Sequence, residues 1–298
     1  MRLRTLTVGM LVGGLVLTAC GTSEGPEAGA PAESGVSIPV AENVSIPGSP
    51  TFQRIQNEGT LTVGVKDDQP GIGLKDPITG EYTGFDIEIA KLVAARMGVP
   101  ADRIEFVPIQ SAAREAAISN GQVDLVVASY TINDKRKQQV SFAGPYFVSG
   151  QGLLVRADDN SITGKDSLQG KKVCSVTGST PIQRVRDEGL TEPGNIVELS
   201  KYSECVNQLE QSRVDVLTTD DAILKGYAAE EPDKLKVVGE PFSVEPYGIG
   251  LAHDDAALRG HINDTLQTAL DDGTWQRLYD QTLGKSGTPA TKPEIQRY

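Results

Sequence analysis

The sequence predicts an α/β fold with several parallel strands. From residue 60 onward, short apolar runs alternate with segments of helical periodicity, a pattern typical of α/β folds. Two stretches about 90 residues apart also share one plan: SNGQVDLVVASYTINDKR (119–136) and EQSRVDVLTTDDAILKGY (210–227). Each contains a helix end, the pair VD, an apolar strand and polar residues that open the next helix. This repeat indicates two α/β lobes that are built alike.

The predicted elements begin with a strand over LTVGV (61–65) and a helix over GFDIEIAKLVAARMGV (84–99). The helix has apolar residues at helical spacing and ends at the stop signals Gly98 and Pro100. The alternation then continues through RIEFVPI, the helix AAREAAISNG, VDLVVA, GLLVR, KKVCSV, NIVEL, ECVNQLEQS, VDVLTT, LKVVG and GIGLA. The closing helix AALRGHINDTLQTALDDGTWQRLYDQTL breaks at DDG.

Residues 1–19 are predicted to be a lipoprotein signal peptide. Arg2 and Arg4 form a positive segment, Val8 to Leu17 form an apolar segment, and the stretch ends in the lipobox LTAC. An ordinary secretory peptide and a membrane anchor are the alternatives, but the apolar part is shorter than the roughly 20 residues of a bilayer span. We expect Cys20 to be lipid-modified and to hold the mature protein on the outer face of the cytoplasmic membrane.

Residues 20–50 are predicted to be a disordered tether, because Gly, Pro, Ser, Ala and Glu dominate them and they contain no aromatic residue. The remaining chain is long enough for two lobes of roughly 100 residues each. The formal net charge is −12, and loss of Arg2 and Arg4 makes the protein still more acidic. This balance argues against nucleic acid or anionic lipid as a partner.

Cys174 and Cys205 remain as an even pair once Cys20 is assigned to the lipid. In an exported protein a disulfide is the default for such a pair, and two free buried thiols are the alternative.

The sequence offers no pattern typical of catalysis or metal binding. His253 and His261 are the only histidines, and neither has the spacing of a metal site. The chain contains no GxSxG, no Walker loop and no GxGxxG after a strand. We therefore expect no enzyme activity, no cofactor and no metal.

The hydroxyls and the arginine that follow VDLVVA indicate a ligand site, because ligands of open parallel sheets lie beyond the carboxyl ends of strands. Two equivalent strand ends that face each other would line a cleft. The alternative is that these residues cap helices. Capping is the simpler interpretation for Asp220 or Asp221 alone, but it explains Arg136, Ser129 and Thr131 less well.

Six segments along the chain resemble the motifs of one receptor family. They are GTLTVGVKDDQPGIG, YTGFDIEIAKLVA, NGQVDLVVASYTINDKRKQQVSFAGPYF, KKVCSVTGSTP, VDVLTTDDAILKGYA and EPYGIGL. Together they span about residues 52–285 and resemble solute-binding protein family 3, the polar amino-acid receptors of ABC transporters. Within the family they are most similar to glutamate-binding lipoproteins of Gram-positive bacteria, where the two cysteines also resemble a disulfide pair.

The resemblance implies a two-lobed, periplasmic-binding-protein-like fold of type II. Each lobe would be a mixed, mostly parallel sheet flanked by helices, and two crossover strands near YFVSGQG and FSVEPYG would join the lobes. The implied domains are lobe one over 51–147 and 248–284, lobe two over 148–247, and a C-terminal tail over 285–298.

The resemblance also implies six residues that bind the backbone of an amino acid. Arg136 matches the arginine that binds the α-carboxylate, and its planar guanidinium can donate two parallel hydrogen bonds. Asp220 matches the acid that pairs with the α-ammonium. The other four positions are Ser129, Thr131, Ser179 and Thr180. The neighbouring lysines, Lys135 and Lys137, are interpreted as a solvated helix face.

Three further residues are candidates for binding the ligand side chain. Arg114 and Lys66 lie at positions that are basic in acidic-amino-acid receptors of the family, and Tyr202 is a candidate from lobe two. A buried second carboxylate would need such cations as partners. The alternatives are a surface arginine and a lysine without ligand contact. Where many relatives carry an aromatic residue over the ligand, DDQPGIGL offers only Ile72 and Leu74, which suggests a small or charged ligand side chain.

The expected function is that of a monomeric, lipid-anchored extracellular receptor. It would bind L-glutamate and deliver it to an ABC permease that works with a cytoplasmic ATPase. The alternatives are a receptor for aspartate or glutamine, a secreted dehydratase-like enzyme on the same fold, and a sensory ligand-binding module.

Overall fold

The computed structural model describes residues 36–286 and 290–298. The predicted signal peptide, Cys20 and the first part of the predicted tether lie outside the described residues. Among the residues that are described, no helix has the length and apolar character needed to cross a bilayer.

The described chain alternates between strands and helices, as the sequence predicts. The strands are β1 (Leu61–Val65), β2 (Asp68–Gln69), β3 (Gly73–Lys75), β4 (Tyr82–Thr83), β5 (Ile104–Pro108), β6 (Leu125–Val127), β7 (Ser141–Ser149), β8 (Gln151–Arg156), β9 (Val173–Val176), β10 (Ile196–Leu199), β11 (Val216–Asp220), β12 (Leu235–Val238) and β13 (Glu245–Leu251). The helices are α1 (Pro50–Glu58), α2 (Phe85–Arg96), α3 (Arg114–Ser119), α4 (Asp134–Lys137), α5 (Thr180–Asp187), α6 (Tyr202–Glu210), α7 (Asp221–Glu230), α8 (Ala256–Asp271) and α9 (Thr274–Gln281).

Two mixed sheets form the cores of two lobes. The first has the order β5-β1-β6-β13-β7, in which β5, β1, β6 and β7 run in one direction and β13 runs in the other. The second has the order β10-β9-β11-β8-β12, in which β10, β9, β11 and β12 run in one direction and β8 runs in the other. Strands β6 and β11, which carry the repeated sequence, occupy equivalent central positions. The predicted two-lobed α/β fold is confirmed.

Two adjacent strands carry the chain between the lobes. Strand β7 belongs to the first sheet, and β8 begins two residues after it in the second sheet. Strand β13 brings the chain back and pairs with β7 from Glu245–Ser149 to Leu251–Ser141. Because both connections are extended and run side by side, they place the carboxyl ends of β6 and β11 at one interface.

The structure differs from the predicted tether at residues 36–49. Ile46 is buried, the Ala41 N–H donates to the Ala95 carbonyl (2.8 Å), and several apolar side chains of this segment pack on the core. Ser49 then caps α1 and donates its hydroxyl to Asp255 (2.7 Å). The composition suggested disorder, but these few apolar residues find a partner surface on lobe one.

The C-terminal residues 290–298 lie along the outer edge of β7. The Gln296 N–H donates to the Gly144 carbonyl (2.9 Å), and the Tyr298 hydroxyl bonds to the N–H and the carbonyl of Phe142. The tail thereby satisfies backbone groups of an edge strand.

A disulfide joins Cys174 in β9 to Cys205 in α6. The predicted disulfide is confirmed, and it links a flanking helix to the second sheet.

Replacement of both cysteines, Cys174→Ala/Cys205→Ala, should lower the free energy of unfolding by about 3.5 kcal/mol, since the bond closes a loop of 31 residues in the unfolded chain. Urea denaturation measures this loss. Reduced wild-type protein is the control and should match the variant. A variant as stable as the oxidised protein would contradict the prediction.

Candidate functional site

The polar residues that follow β6 and β11 meet across the interface between the lobes. Tyr247 of β13 donates its hydroxyl to Oδ2 of Asp220 at the end of β11 (2.6 Å). Arg136, beyond β6, donates from Nη2 to the carbonyl of Gly178 in lobe two (3.1 Å). The hydroxyls of Thr131 and Thr180, which also come from different lobes, lie 3.4 Å apart. The two halves of the sequence repeat thus form one site.

Arg136 is the central cation of this site. Its side chain is buried, donates from Nη1 to the Thr131 carbonyl (2.6 Å) and forms an ion pair with Glu115 (3.3 Å). Burial, followed by the charge of Arg114, lowers the pKa of Arg136 to about 10. The guanidinium is therefore charged at neutral pH, in a place where charge is costly without a partner.

Ser129 and Thr131 lie on the turn that leaves β6. Ser129 is buried and has a left-handed backbone with φ of 41°. Thr131 is also buried and forms a β-bridge with Tyr247 on the crossover strand. The turn therefore directs both residues toward the interface between the lobes.

The loop of residues 178–180 is the contribution of lobe two opposite Arg136. Ser179 caps α5, and Thr180 donates its hydroxyl to Glu245 (2.7 Å). Gly178 has a φ of 79°, and a Cβ there would lie 2.6 Å from the Cα of Ala112 in lobe one. Only glycine permits this close approach of the two lobes.

Asp220 is a buried acid with one free oxygen. Oδ2 accepts from Tyr247, whereas Oδ1 has no hydrogen-bond partner among the described residues. Burial, with a contribution from Glu245, raises the pKa of Asp220 to about 8. Such a carboxyl is suited to bind an ammonium group. The ammonium would donate a hydrogen bond to Oδ1 and would supply the positive charge that favours the ionised carboxylate.

A chamber of about 210 Å³ opens between the lobes, and two of the predicted site residues, Lys66 and Tyr202, line it. Its lining contains cations, acids, a tyrosine, and neutral polar and apolar residues: Lys66, Asp67, Asp68, Pro108, Ile109, Gln110, Val176, Ser200, Lys201 and Tyr202. Lys201 and Asp67 neutralise each other across the interface (2.6 Å). Tyr202 is buried, and burial together with Asp220 raises the pKa of its hydroxyl.

Lys66 is the buried cation of the chamber. Its ammonium donates to the Ser111 hydroxyl (2.9 Å) and to the Ile109 carbonyl (3.1 Å), which are neutral acceptors. Burial and then the charge of Arg114 lower the pKa of Lys66 to about 7. Acids in the vicinity oppose this shift without abolishing it. A carboxylate in the chamber would therefore be a favourable partner for Lys66.

Arg114 is also buried, and backbone carbonyls already hold its guanidinium. Nε donates to Ser111 (3.1 Å), Nη1 donates to Ala128 (3.0 Å), and the group lies over the Tyr130 ring at 4.2 Å. Its charge nevertheless lowers the pKa of both Lys66 and Arg136. Arg114 thus adds positive potential to the site from a fixed position.

The structure argues against a surface position for Arg114 and against a capping role for the Asp220 side chain. Arg114 and Lys66 are only 2% and 4% exposed, so neither is a surface residue. Asp220 precedes α7 but makes no capping hydrogen bond with its side chain. Lys135 is exposed and Lys137 is half-buried, in line with a largely solvated helix face. The structure brings the nine predicted site residues to one interface, and their roles in binding remain predictions.

Three residues that hold the predicted site residues in place were not predicted from the sequence. Tyr247, Glu245 and Glu115 each contact a predicted site residue, and each is distant from it in sequence or carries no motif of its own. The only signal was the crossover segment FSVEPYG, which contains two of them. Within the described ranges, no cluster of histidine, cysteine and acidic residues is arranged to hold a metal ion.

Comparison with known proteins gives consistent similarities. Residues 61–285 match the family described as bacterial extracellular solute-binding proteins, family 3. Glutamate-binding protein GluB of Corynebacterium glutamicum is 40% identical over 309 residues, 96% of each chain. A glutamine-binding protein of Geobacillus stearothermophilus is 39% identical over 70% of this chain and 78% of its own. A solved ancestral arginine-binding protein bound to glutamine has a TM-score of 0.70 at 37% identity and covers 76% of this chain and 98% of its own.

Replacement of the buried acid, Asp220→Asn, should stabilise the ligand-free protein at alkaline pH. Because the folded pKa of Asp220 is about 8 and the unfolded value is near 4, its contribution to stability is present below about pH 4 and is lost as the pH rises through 8. The unfolding temperature of the variant should exceed that of wild type at pH 8, and the two should converge toward pH 4. Thermal denaturation across this pH range measures the difference.

The neighbouring acid provides the control for this prediction. Asp221 is partly buried, which opposes ionisation, but hydrogen bonds from Lys225 and Ser149 hold its pKa below the usual value. Asp221→Asn should therefore lose stability at neutral pH. Equal pH dependence of the Asp220→Asn variant and wild type would contradict the assignment.

Proposed function

Because the chain belongs to the bacterial extracellular solute-binding proteins of family 3, we propose that it binds glutamate between its lobes and delivers it to an ABC importer. The observation that carries the proposal is that a buried acid and a buried cation lie at one interface. The acid is Asp220, which has one oxygen without a hydrogen-bond partner among the described residues, and the cation is Arg136. A zwitterion suits both groups, because its carboxylate would pair with Arg136 and its ammonium would favour the ionised form of Asp220. The 40% identity to a glutamate-binding protein over 96% of the chain supports the choice of ligand.

The backbone of the amino acid would be held by both lobes. The Arg136 guanidinium binds the α-carboxylate through two parallel donors, with Ser129 and Thr131 beside it. Asp220 accepts from the α-ammonium, and Ser179 and Thr180 complete the site from lobe two. These contacts recognise any α-amino acid and leave selection to the chamber beyond them.

The ligand side chain would enter the chamber and place its carboxylate against Lys66. In the described part of the chain both hydrogen-bond acceptors of this lysine are neutral, whereas Lys201 is already paired with Asp67. Arg114 adds positive potential while carbonyls and the Tyr130 ring hold it in place. Tyr202 lines the same chamber and can donate from its hydroxyl. Glutamate therefore gains an ion pair that glutamine cannot form.

Glutamine is the second candidate ligand. A relative at 39% identity is named a glutamine-binding protein, and a similar solved structure contains glutamine. A neutral amide would leave Lys66 without a counter-charge, which is tolerable because burial favours the neutral amine of this lysine. The relatives named here are binding proteins, which supports a receptor without catalysis over the dehydratase-like alternative.

Delivery would follow from closure of the lobes on the ligand. Closure buries the amino acid and creates a surface that the permease can recognise. We propose lobe boundaries at residues 51–147 with 248–284, and at 148–247. A lipid on Cys20 would keep the monomeric receptor beside the permease, which works with a cytoplasmic ATPase.

Arg136→Met should weaken binding of every amino acid by at least about 100-fold, because the variant loses a buried donor pair for the α-carboxylate. Isothermal titration calorimetry with glutamate, glutamine and aspartate measures this loss. Lys135→Met changes an exposed neighbour on the same helix and should bind as wild type does. Retained binding in the Arg136 variant would remove this residue from the site.

Lys66→Met should lower the affinity for glutamate about 10- to 100-fold and change that for glutamine little. A carboxylate beside Lys66 raises its pKa from about 7, so wild type should take up more protons with glutamate than with glutamine between pH 7 and 8. Calorimetry in buffers of different ionisation enthalpy measures this uptake, and the excess should vanish in the variant.

Lys201→Met is the matched control for this experiment. It removes another cation of the chamber, one that Asp67 already neutralises across the lobes. Both affinities should fall, but their ratio should not change. If the glutamate-to-glutamine affinity ratio collapsed in Lys201→Met and persisted in Lys66→Met, selectivity would belong to Lys201 and the role proposed for Lys66 would be wrong.

A further inference from the structure

Asp86 is a buried carboxylate directly behind the ligand site. It lies in the first turn of α2, and its side chain is fully buried. Its two side-chain hydrogen-bond partners among the described residues both belong to lobe one. Oδ2 accepts from the backbone N–H of Ser129 (2.7 Å), and Oδ1 accepts from the hydroxyl of Tyr146 (2.7 Å). Both oxygens are therefore used, and each partner belongs to a different functional part of the fold.

The first partner, Ser129, has a backbone that requires support. Its φ of 41° lies in the left-handed region, which residues other than glycine seldom adopt. The conformation turns the chain from β6 toward Arg136 and sets the direction of Ser129 and Thr131. A hydrogen bond from the Ser129 N–H to a charged acceptor stabilises this turn more strongly than a neutral acceptor would.

The second partner, Tyr146, belongs to the crossover strand β7. Its hydroxyl donates to Asp86, and its carbonyl accepts from the Trp275 indole (2.7 Å). The same carboxylate therefore fastens the binding turn to one of the two strands that join the lobes.

The charge of Asp86 also suits its surroundings. Burial raises its pKa to about 6, while the hydrogen bonds from Tyr146 and Ser129 and the charges of Lys66 and Arg114 oppose that rise. The carboxylate is thus mostly ionised at neutral pH and offsets the positive potential behind the site.

We propose that Asp86 is a positioning residue of the receptor, which holds the left-handed turn at Ser129 against the crossover strand so that the turn can bind the amino-acid backbone. The role rests on the proposed function, but Asp86 itself does not touch the ligand. Asp86 therefore affects binding of the α-carboxylate and α-ammonium groups, which all amino acids share, and not binding of the ligand side chain.

Asp86→Asn tests this role, because an amide oxygen can serve only one of the two donors well and carries no charge. Affinities for glutamate and glutamine should fall together by about 10- to 100-fold, with their ratio unchanged. In NMR spectra the Ser129 amide proton should be far downfield in wild type, as expected for a bond to a carboxylate, and should move upfield in the variant.

Asp255→Asn is the matched control. Asp255 is equally buried in the same lobe and accepts from Ser49, Thr51 and Leu258 away from the ligand site. Its variant should melt at a lower temperature but bind with wild-type affinity. An Asp86→Asn variant that loses no more affinity than this control would overturn the proposal, as would a collapse of the glutamate-to-glutamine ratio.

Tyr146→Phe keeps the proposal testable if Asp86→Asn does not fold. This variant removes one donor and leaves the acceptor of Ser129 intact, so the Ser129 amide proton should remain downfield. An ordinary shift for this proton, in wild type or in Tyr146→Phe, would overturn the role. Wild-type protein that binds no amino acid would overturn the receptor function as well, whereas unchanged affinity in Asp86→Asn would overturn only the role of Asp86.

Discussion

Charged groups buried between the lobes constrain everything else in this structure. Burial raises the pKa of Asp220 and lowers the pKa values of Arg136 and Lys66, so each group is held in surroundings that disfavour its charge. A ligand that brings the opposite charge to each of them relieves this cost. In the proposed function, affinity and selectivity would therefore have one physical origin, which is the neutralisation of charges that water cannot reach.

Close contact between the lobes makes that exclusion of water possible. Gly178 meets the backbone of Ala112, and a Cβ on Gly226 would lie 2.4 Å from the Pro70 carbonyl. These glycines allow one lobe to approach the other more closely than any side chain would permit. Around them, the Lys201–Asp67 ion pair and the hydrogen bond from the Ser203 N–H to Asp68 join the lobes without use of the groups assigned to the ligand.

The two lobes repeat one plan but use it for opposite charges. After β6 the chain presents hydroxyls and Arg136, whereas β11 ends in Asp220. Because the central parallel strand of each sheet ends at the same interface, the proposed dipolar ligand would meet a cation on one side and an acid on the other. Behind the positive half, the carboxylate of Asp86 balances the cations and connects the binding turn to the crossover strand.

The sequence by itself determined the α/β class, the repeated strand ends, the cysteine pair and the residues that resemble a receptor site, since periodicity and local motifs record these features. Tertiary structure alone decided that residues 36–49 pack on lobe one, that Tyr247 bonds to Asp220, and that carbonyls hold Arg114 while Lys66 lines the chamber. Such contacts join segments far apart in the chain. They depend on how the crossover strands place the two lobes, and a local pattern of residues contains no information about contacts between distant segments.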